Sequence, residues 1–267
     1  MKKVTRLGLI MIMGLVMLLA ACGSSETSGG DEKKKLRVVT DAAYAPFESL
    51  EGDQVVGFDV DFLSAVLEEA GYEVVQPEHV GWDPLFIEIE SKEADLAISA
   101  ITINDDRKQT YDFSFPYFLS TNKILVPEGS DIKSGADLEG KVVAVQNGTT
   151  GQETAEAILG KNSKDIKKFE NNNLAIMELE AGGADAVVAD NTVIEEYAKN
   201  NPEKNLVVIE DPSFAAEYYG LMFPKDSELV SELNEAINKV FDSGKYAEIY
   251  EEWFGSEPDV DNLKAQQ

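Results

Sequence analysis

With one cysteine and one histidine in 267 residues, this chain lacks the parts for several large function classes. A single cysteine makes no internal disulfide, and one histidine supplies neither the spaced Cys/His ligands of a zinc site nor a Ser/Cys-His triad with any choice of partner. Basic residues are also scarce: 23 lysines and arginines stand against 50 acids, for a formal net charge of -27. No basic stripe interrupts that acidity, so phosphate backbones are repelled and a nucleic-acid partner is excluded, while cationic and zwitterionic partners remain open. Long hydrophobic runs are missing too. The apolar stretch from Leu7 to Leu19 is short for a bilayer, which asks for about 20 apolar residues. Yet 43% of the chain is hydrophobic, enough for one large or two ordinary globular domains.

Lys2, Lys3 and Arg6 precede that apolar stretch, and small residues lead to Cys22, the pattern of an export signal. Leu19-Ala20-Ala21-Cys22 is similar to a bacterial lipobox, which implies a lipoprotein signal peptide over 1–21 and a lipid on Cys22 that anchors the protein to a membrane. A buried free cysteine, or an uncleaved membrane helix, is the alternative. Residues 22–35 mix Ser, Gly and charge without periodicity and read as a flexible tether. Lys33 to Lys35 read as a solvated part of it, or as a contact with anionic lipid.

From Leu36 onward short β-rich runs alternate with amphipathic helices, which predicts an α/β fold with largely parallel sheets. Strands are expected at Leu36–Thr40, Ala94–Ser99, Lys141–Gln146 and Ala184–Asp190. Helices are expected at Asp59–Ala70, from Asp83-Pro84, at Gln152–Leu159 and Asn173–Ala181, then at Glu228–Phe241 and Tyr246–Phe254. The stretches Ser91–Ile98 and Ala181–Val188 repeat one helix-turn-strand shape with Ala-Asp at the turn, the mark of two similar lobes. This divides the chain into a large lobe, 36–116 plus 222–257, a small lobe, 122–216, hinge strands 117–121 and 217–221, and a tail, 258–267.

In open α/β sheets a ligand sits beyond the carboxyl ends of the strands. Those ends carry Asp41 and Tyr44, then Ser99, Ala100 and Thr102 with Arg107 beyond, and in the second lobe Gln146, Thr149, Thr150 and Asp190. One arginine and one aspartate suit an α-amino acid: a planar guanidinium pairs a carboxylate, and a carboxylate accepts from an ammonium. His79 has no Cys or His partner and reads as a structural or surface imidazole. No metal and no cofactor is expected.

The chain from Leu36 to Pro258 resembles the polar-amino-acid branch of bacterial extracytoplasmic solute-binding proteins, receptors of ABC importers. The resemblance rests on Thr40–Phe47 (TDAAYAPF), Gly57–Asp61 (GFDVD), Ser99–Arg107 (SAITINDDR), Val145–Glu153 (VQNGTTGQE) and Ala184–Asp190 (ADAVVAD) together. Leu67 departs from the small residue usual there. The resemblance implies a two-lobed type II fold of the periplasmic-binding-protein kind, closing about two hinge strands over its ligand. It implies that Arg107 clamps the ligand carboxylate, helped by the Thr102 hydroxyl and the Thr150 amide. Asp190 and the Ser99 carbonyl then hold the ammonium, and Tyr44 and Trp82 sandwich the side chain.

Each residue also has a plainer reading: Trp82 as a core aromatic at a helix start, Arg107 as a surface ion pair with Asp105 or Asp106, Asp41 and Asp190 as turn residues or caps. Thr150-Gly151-Gln152-Glu153 reads as a capping box, so Thr150 is equally a plain cap. Tyr218 and Tyr219 either reach the pocket or pack the crossing. Similar glutamine receptors have a lysine at the position of Gln146 and a histidine at that of Ala189. With both cations missing, and Asp41 joined by Glu48, Asp59 or Glu217, arginine or lysine is the expected ligand and glutamine the alternative. The implied partners are an ABC permease with its ATPase subunits, and the receptor is expected to be a monomer and no enzyme. The rivals are an enzyme and a surface sensor on the same fold.

Overall fold

The computed structural model describes residues 33–267; the signal segment 1–21, Cys22 and the tether as far as Glu32 lie outside the described residues. β1 (Val38–Thr40) is buried throughout. β2 (Ala43–Tyr44), β3 (Glu48–Glu51) and β4 (Gln54–Val56) make a small antiparallel sheet over the strand end. Gly57 then turns the chain at φ 147°, where an added Cβ would lie 1.9 Å from the Phe47 carbonyl oxygen. α1 (Phe58–Glu69) buries Phe58, Phe62, Leu63, Val66 and Leu67 on one face. It ends in a Schellman motif, Tyr72 N–H on Leu67 O and Gly71 N–H on Glu68 O, with Gly71 at φ 81°.

β5 (Glu78–His79), α2 (Trp82–Glu90), β6 (Leu96–Ala97) and β7 (Tyr111–Phe113) complete the first pass through this lobe. β8 (Phe118–Pro127) carries the chain into the second, built from β9 (Val143–Gln146), α3 (Thr150–Leu159), β10 (Ile166–Phe169), α4 (Asn172–Glu180), β11 (Ala186–Asp190), α5 (Asn191–Asn200) and β12 (Leu206–Ile209). β13 (Ala216–Tyr219) leads back to β14 (Met222–Pro224), α6 (Leu229–Asp242), α7 (Lys245–Phe254) and α8 (Val260–Lys264).

The first sheet has the order β5-β1-β6-β14-β7 and the second β10-β9-β11-β8-β12. In each, three parallel strands are followed by an antiparallel one, β14 in the first and β8 in the second. The sheets are therefore more mixed than the β/α alternation predicts: β14 and β8 reach their sheets from the crossings, without a helix between.

The expected elements are present with ends moved by a few residues. Ala94–Ser99 shortens most, to Leu96–Ala97, because Ser99 and Ala100 bend away at Ala100, φ 47°. α2 is capped by Gly81 rather than by Asp83, which lies inside its first turn. The segment 258–267 is no free tail: α8 buries Leu263 in the same core as α1, α6 and α7. The crossing strands pair with each other, Thr121 with Ala216 through Phe118 with Tyr219, so the second begins one residue early and Gly220 and Leu221 fall outside the ladder. Under this pair Phe47, Phe118 and Tyr219 pack ring to ring, with Phe118 stacked on Tyr219 at 5.4 Å between centroids.

Candidate ligand-binding site

A small pocket lies where the two sets of strand ends face each other. Asp41, Tyr44, Trp82, Ser99, Ala100, Thr102 and Arg107 line it from the first lobe, with Glu48 beside them. Gln146, Thr149, Thr150 and Asp190 line it from the second. All the residues singled out by position at strand ends are thus brought together. Glu48 borders the same space, and its signal was the surplus of acid around Asp41.

At one end the Asp41 carboxylate, 4% exposed, faces the Gln146 amide, which donates to it at 3.4 Å. Its backbone N–H donates to Ser99 Oγ, so β1 and the turn after β6 hold it in place. Burial pushes the Asp41 carboxyl up to about 6, against the pull of Gln146 and His79. His79 itself is exposed on β5, as a surface imidazole.

Asp190 ends β11, and the hydroxyls of Tyr219 and Tyr44 both hydrogen-bond its carboxylate. Burial raises its pKa; those hydroxyls and Arg107 oppose the rise. Tyr219 therefore reaches the site, whereas Tyr218 donates to Asn262 of α8 and packs the crossing.

Arg107 turns inward, away from Asp105 and Asp106. Its guanidinium donates to Thr102 O at 2.8 Å and to Gly148 O at 3.2 Å, one contact in each lobe. It lies 5.5 Å from the Trp82 ring centre and 5.3 Å from that of Phe86. Phe86 was missed in the sequence, though it follows Trp82 by four residues and so shares its helix face. Trp82 Nε1 is buried without a partner, and Gly148 backs onto it so closely that an added Cβ would come within 3.4 Å.

One expectation needs correcting. α3 is capped by Thr149, whose hydroxyl accepts from Gln152 N at 3.2 Å; Thr150 stands one residue inside the helix. The Thr102 hydroxyl donates to Glu217 Oε2 at 2.9 Å. Thr150 Oγ1 donates to the same oxygen at 2.7 Å and Asn122 Nδ2 to Oε1 at 2.7 Å. Burial, then the charge of Asp190, pushes the Glu217 carboxyl up to about 7.

The arrangement is an acid-rich pocket with a single guanidinium among its lining residues. Residues 36–256 match the family of bacterial extracellular solute-binding proteins, family 3. A probable histidine-binding protein of Neisseria gonorrhoeae is 41% identical over 248 residues, covering 90% of this chain and 92% of the relative. The arginine-binding extracellular protein ArtP of Bacillus subtilis is 33% identical over 245 residues, 91% of this chain and 95% of its own. Among solved structures, the arginine-, lysine-, histidine-binding protein ArtJ of Geobacillus stearothermophilus shares 56% identity at a TM-score of 0.84, over 86% of this chain and 100% of that one. The chain belongs to the bacterial extracellular solute-binding proteins of family 3, a two-lobed extracytoplasmic receptor for a solute and not an enzyme.

Proposed function

We propose that this chain is the substrate-binding receptor of an amino acid ABC importer and that its ligand is a basic L-amino acid, arginine or lysine. The observation that carries the reading is the charge of the chamber: Asp41, Asp190 and Glu217 line it or touch its lining residues, and Arg107 alone answers them. A ligand side chain bearing a cation relieves that imbalance, because a buried carboxylate without a countercharge is costly. The relatives described above carry arginine, lysine or histidine in their names, which supports the same class.

In this reading Arg107 and the N-terminus of α3 receive the α-carboxylate. Asp190 and the Ser99 carbonyl take the α-ammonium, Tyr44 and Trp82 flank the stem, and Asp41 pairs with the distal cation. Residues 36–116 with 222–257 bind first, and 122–216 swing in about 117–121 and 217–221; domain closure of this kind is a known repertoire of periplasmic binding proteins. The closed form, a monomer tethered by a lipid on Cys22, then docks on a permease served by ATPase subunits. Glutamine is the second reading: the Gln146 amide already donates to Asp41, so an amide side chain fits that end.

The test is calorimetric titration with each of the twenty amino acids, after unfolding and refolding to strip carried ligand. Tight binding of arginine or lysine with little response to glutamine is expected. Tight glutamine binding would overturn the basic ligand and keep the receptor; no binding to any would overturn both. Mass spectrometry of the native N-terminus decides the lipid.

A further inference from the structure

At the floor of the ligand chamber lies a pair of carboxyl groups, of which Glu48 borders the chamber and Asp59 lies behind it. Glu48 and Asp59 are both 0% exposed, and their side chains are within hydrogen-bonding reach of each other. The groups facing them are Asp41 from the turn after β1, Tyr44 of β2, Tyr117 ahead of β8 and Tyr246 of α7. Every one of these is an acid, and none compensates a negative charge. Two bare carboxylates in contact, dry and without a cation, are not a stable arrangement.

The hydrogen bonds show where a proton belongs. Asp59 Oδ2 accepts from the Ala100 N–H at 2.8 Å, and both its oxygens accept from the Tyr117 hydroxyl at 3.0 Å. Asp59 is thus supplied with donors as an anion. Glu48 Oε1 accepts from Ser99 Oγ, while Glu48 Oε2 is buried with no donor aimed at it. An oxygen in that position is satisfied only by carrying hydrogen itself.

We propose that Glu48 and Asp59 share a single proton, resident on Glu48 Oε2 and donated to Asp59, and that this pair positions the Ser99–Ala100 backbone at the floor of the chamber. Glu48 holds Ser99 Oγ, which in turn accepts the Asp41 N–H; Asp59 holds the N–H of Ala100, the residue at φ 47° where the chain leaves β6. Both residues are positioning residues. Asp59 acts on the chamber through Ala100, and Glu48, which also borders it, through Ser99. Burial and the neighbouring charge of Asp59 hold the Glu48 carboxyl well above its usual range. A raised acid contributes stability below its unfolded value and loses it as pH rises through the folded one, so the pair weakens the fold on the alkaline side.

The assignment is directional, and its test is the contrast between Glu48→Gln and Asp59→Asn in the full mature chain. Glutamine reproduces a protonated Glu48: Oε1 accepts from Ser99 and Nε2 donates to Asp59. Thermal melts from about pH 6 to about pH 10 should show E48Q folded as wild type at the low end and increasingly more stable than wild type as pH rises. A carboxylic-acid C=O infrared band retained by wild type at about pH 8.5 should be missing in E48Q. Asp59→Asn turns a donor toward Ala100 N–H or Tyr117 and should melt at least about 10 °C lower. An E48Q as damaged as D59N, or one with the wild-type alkaline decline or infrared band, would overturn the proposal.

Discussion

Thr102 of the first lobe and Thr150 of the second donate their hydroxyls to one and the same oxygen, Glu217 Oε2, at 2.9 and 2.7 Å. Glu217 sits on β13, a strand that crosses between the lobes, so a single carboxylate ties both sides of the closed chamber. Glu217→Ala leaves two hydroxyls and the Asn122 amide without their acceptor, at roughly 1–3 kcal/mol. We expect about tenfold weaker ligand binding and, by X-ray scattering with ligand at saturating concentration, a larger radius of gyration than wild type. An unchanged affinity and radius would mean that Glu217 does not hold the lobes together.

Asp41→Asn separates charge from shape at the distal end of the chamber. The asparagine retains the backbone N–H that donates to Ser99 Oγ. Arginine or lysine should bind about 30-fold more weakly, roughly 2 kcal/mol, and glutamine should change far less. Equal loss for basic and neutral ligands in calorimetry would remove the charge-pairing account.

The same carboxyl sets a pH dependence. Burial places free Asp41 at about 6, so below that pH a cationic ligand must displace a proton. Arginine affinity should be flat above about pH 6 and fall by up to about tenfold per unit below it. For the ligand-free fold the sign is opposite: Asp41 contributes stability below its unfolded value of 3.8 and loses it as pH rises through about 6. Calorimetry across that window in wild type and D41N checks the claim, since the variant should lack the acid-side fall.

Arg107→Lys should weaken every α-amino acid alike. The guanidinium reaches Thr102 O and Gly148 O at once while lying against Trp82 and Phe86, and an ammonium lacks the planar fork for that. A loss of about 2–3 kcal/mol, equal for basic and neutral ligands, is expected. A loss confined to basic ligands would remove Arg107 from the α-carboxylate end.

Gly57→Ala should cost stability without touching selectivity. The new Cβ would meet the Phe47 carbonyl oxygen at 1.9 Å, at a φ of 147° that side chains rarely adopt. We expect at least about 3 kcal/mol in chemical denaturation. Gly52→Ala, with φ 64° but open space around its Cβ, should cost only about 1 kcal/mol.

Much of this was legible before any coordinates. Asp41, Ser99, Gln146 and Asp190 were found because a strand end in an α/β sheet opens on the ligand side, a rule of backbone direction that sequence periodicity exposes. Arg107 stood out just beyond a strand end as the guanidinium an α-carboxylate needs, Trp82 came from motif resemblance, and α1 from its apolar spacing and Gly71. The α3 cap was misplaced by one residue, because Thr149 and Thr150 are chemically equal and only the backbone, extended at Thr149, chooses between them. Phe86 was passed over since helix periodicity marks a face without saying what that face meets.

By itself the sequence determined the classes of chemistry this protein lacks, the β/α order of its elements and the identities of the groups at its strand ends. Those follow from composition and short-range spacing, which act within a few residues. Only the tertiary structure decided that the Thr102 hydroxyl hydrogen-bonds to Glu217, 115 residues away, and that Glu48 meets Asp59 without a countercharge. Hydrogen bonds and buried charges depend on distances of a few ångströms between segments far apart in the chain, and burial is what makes their pairing decisive.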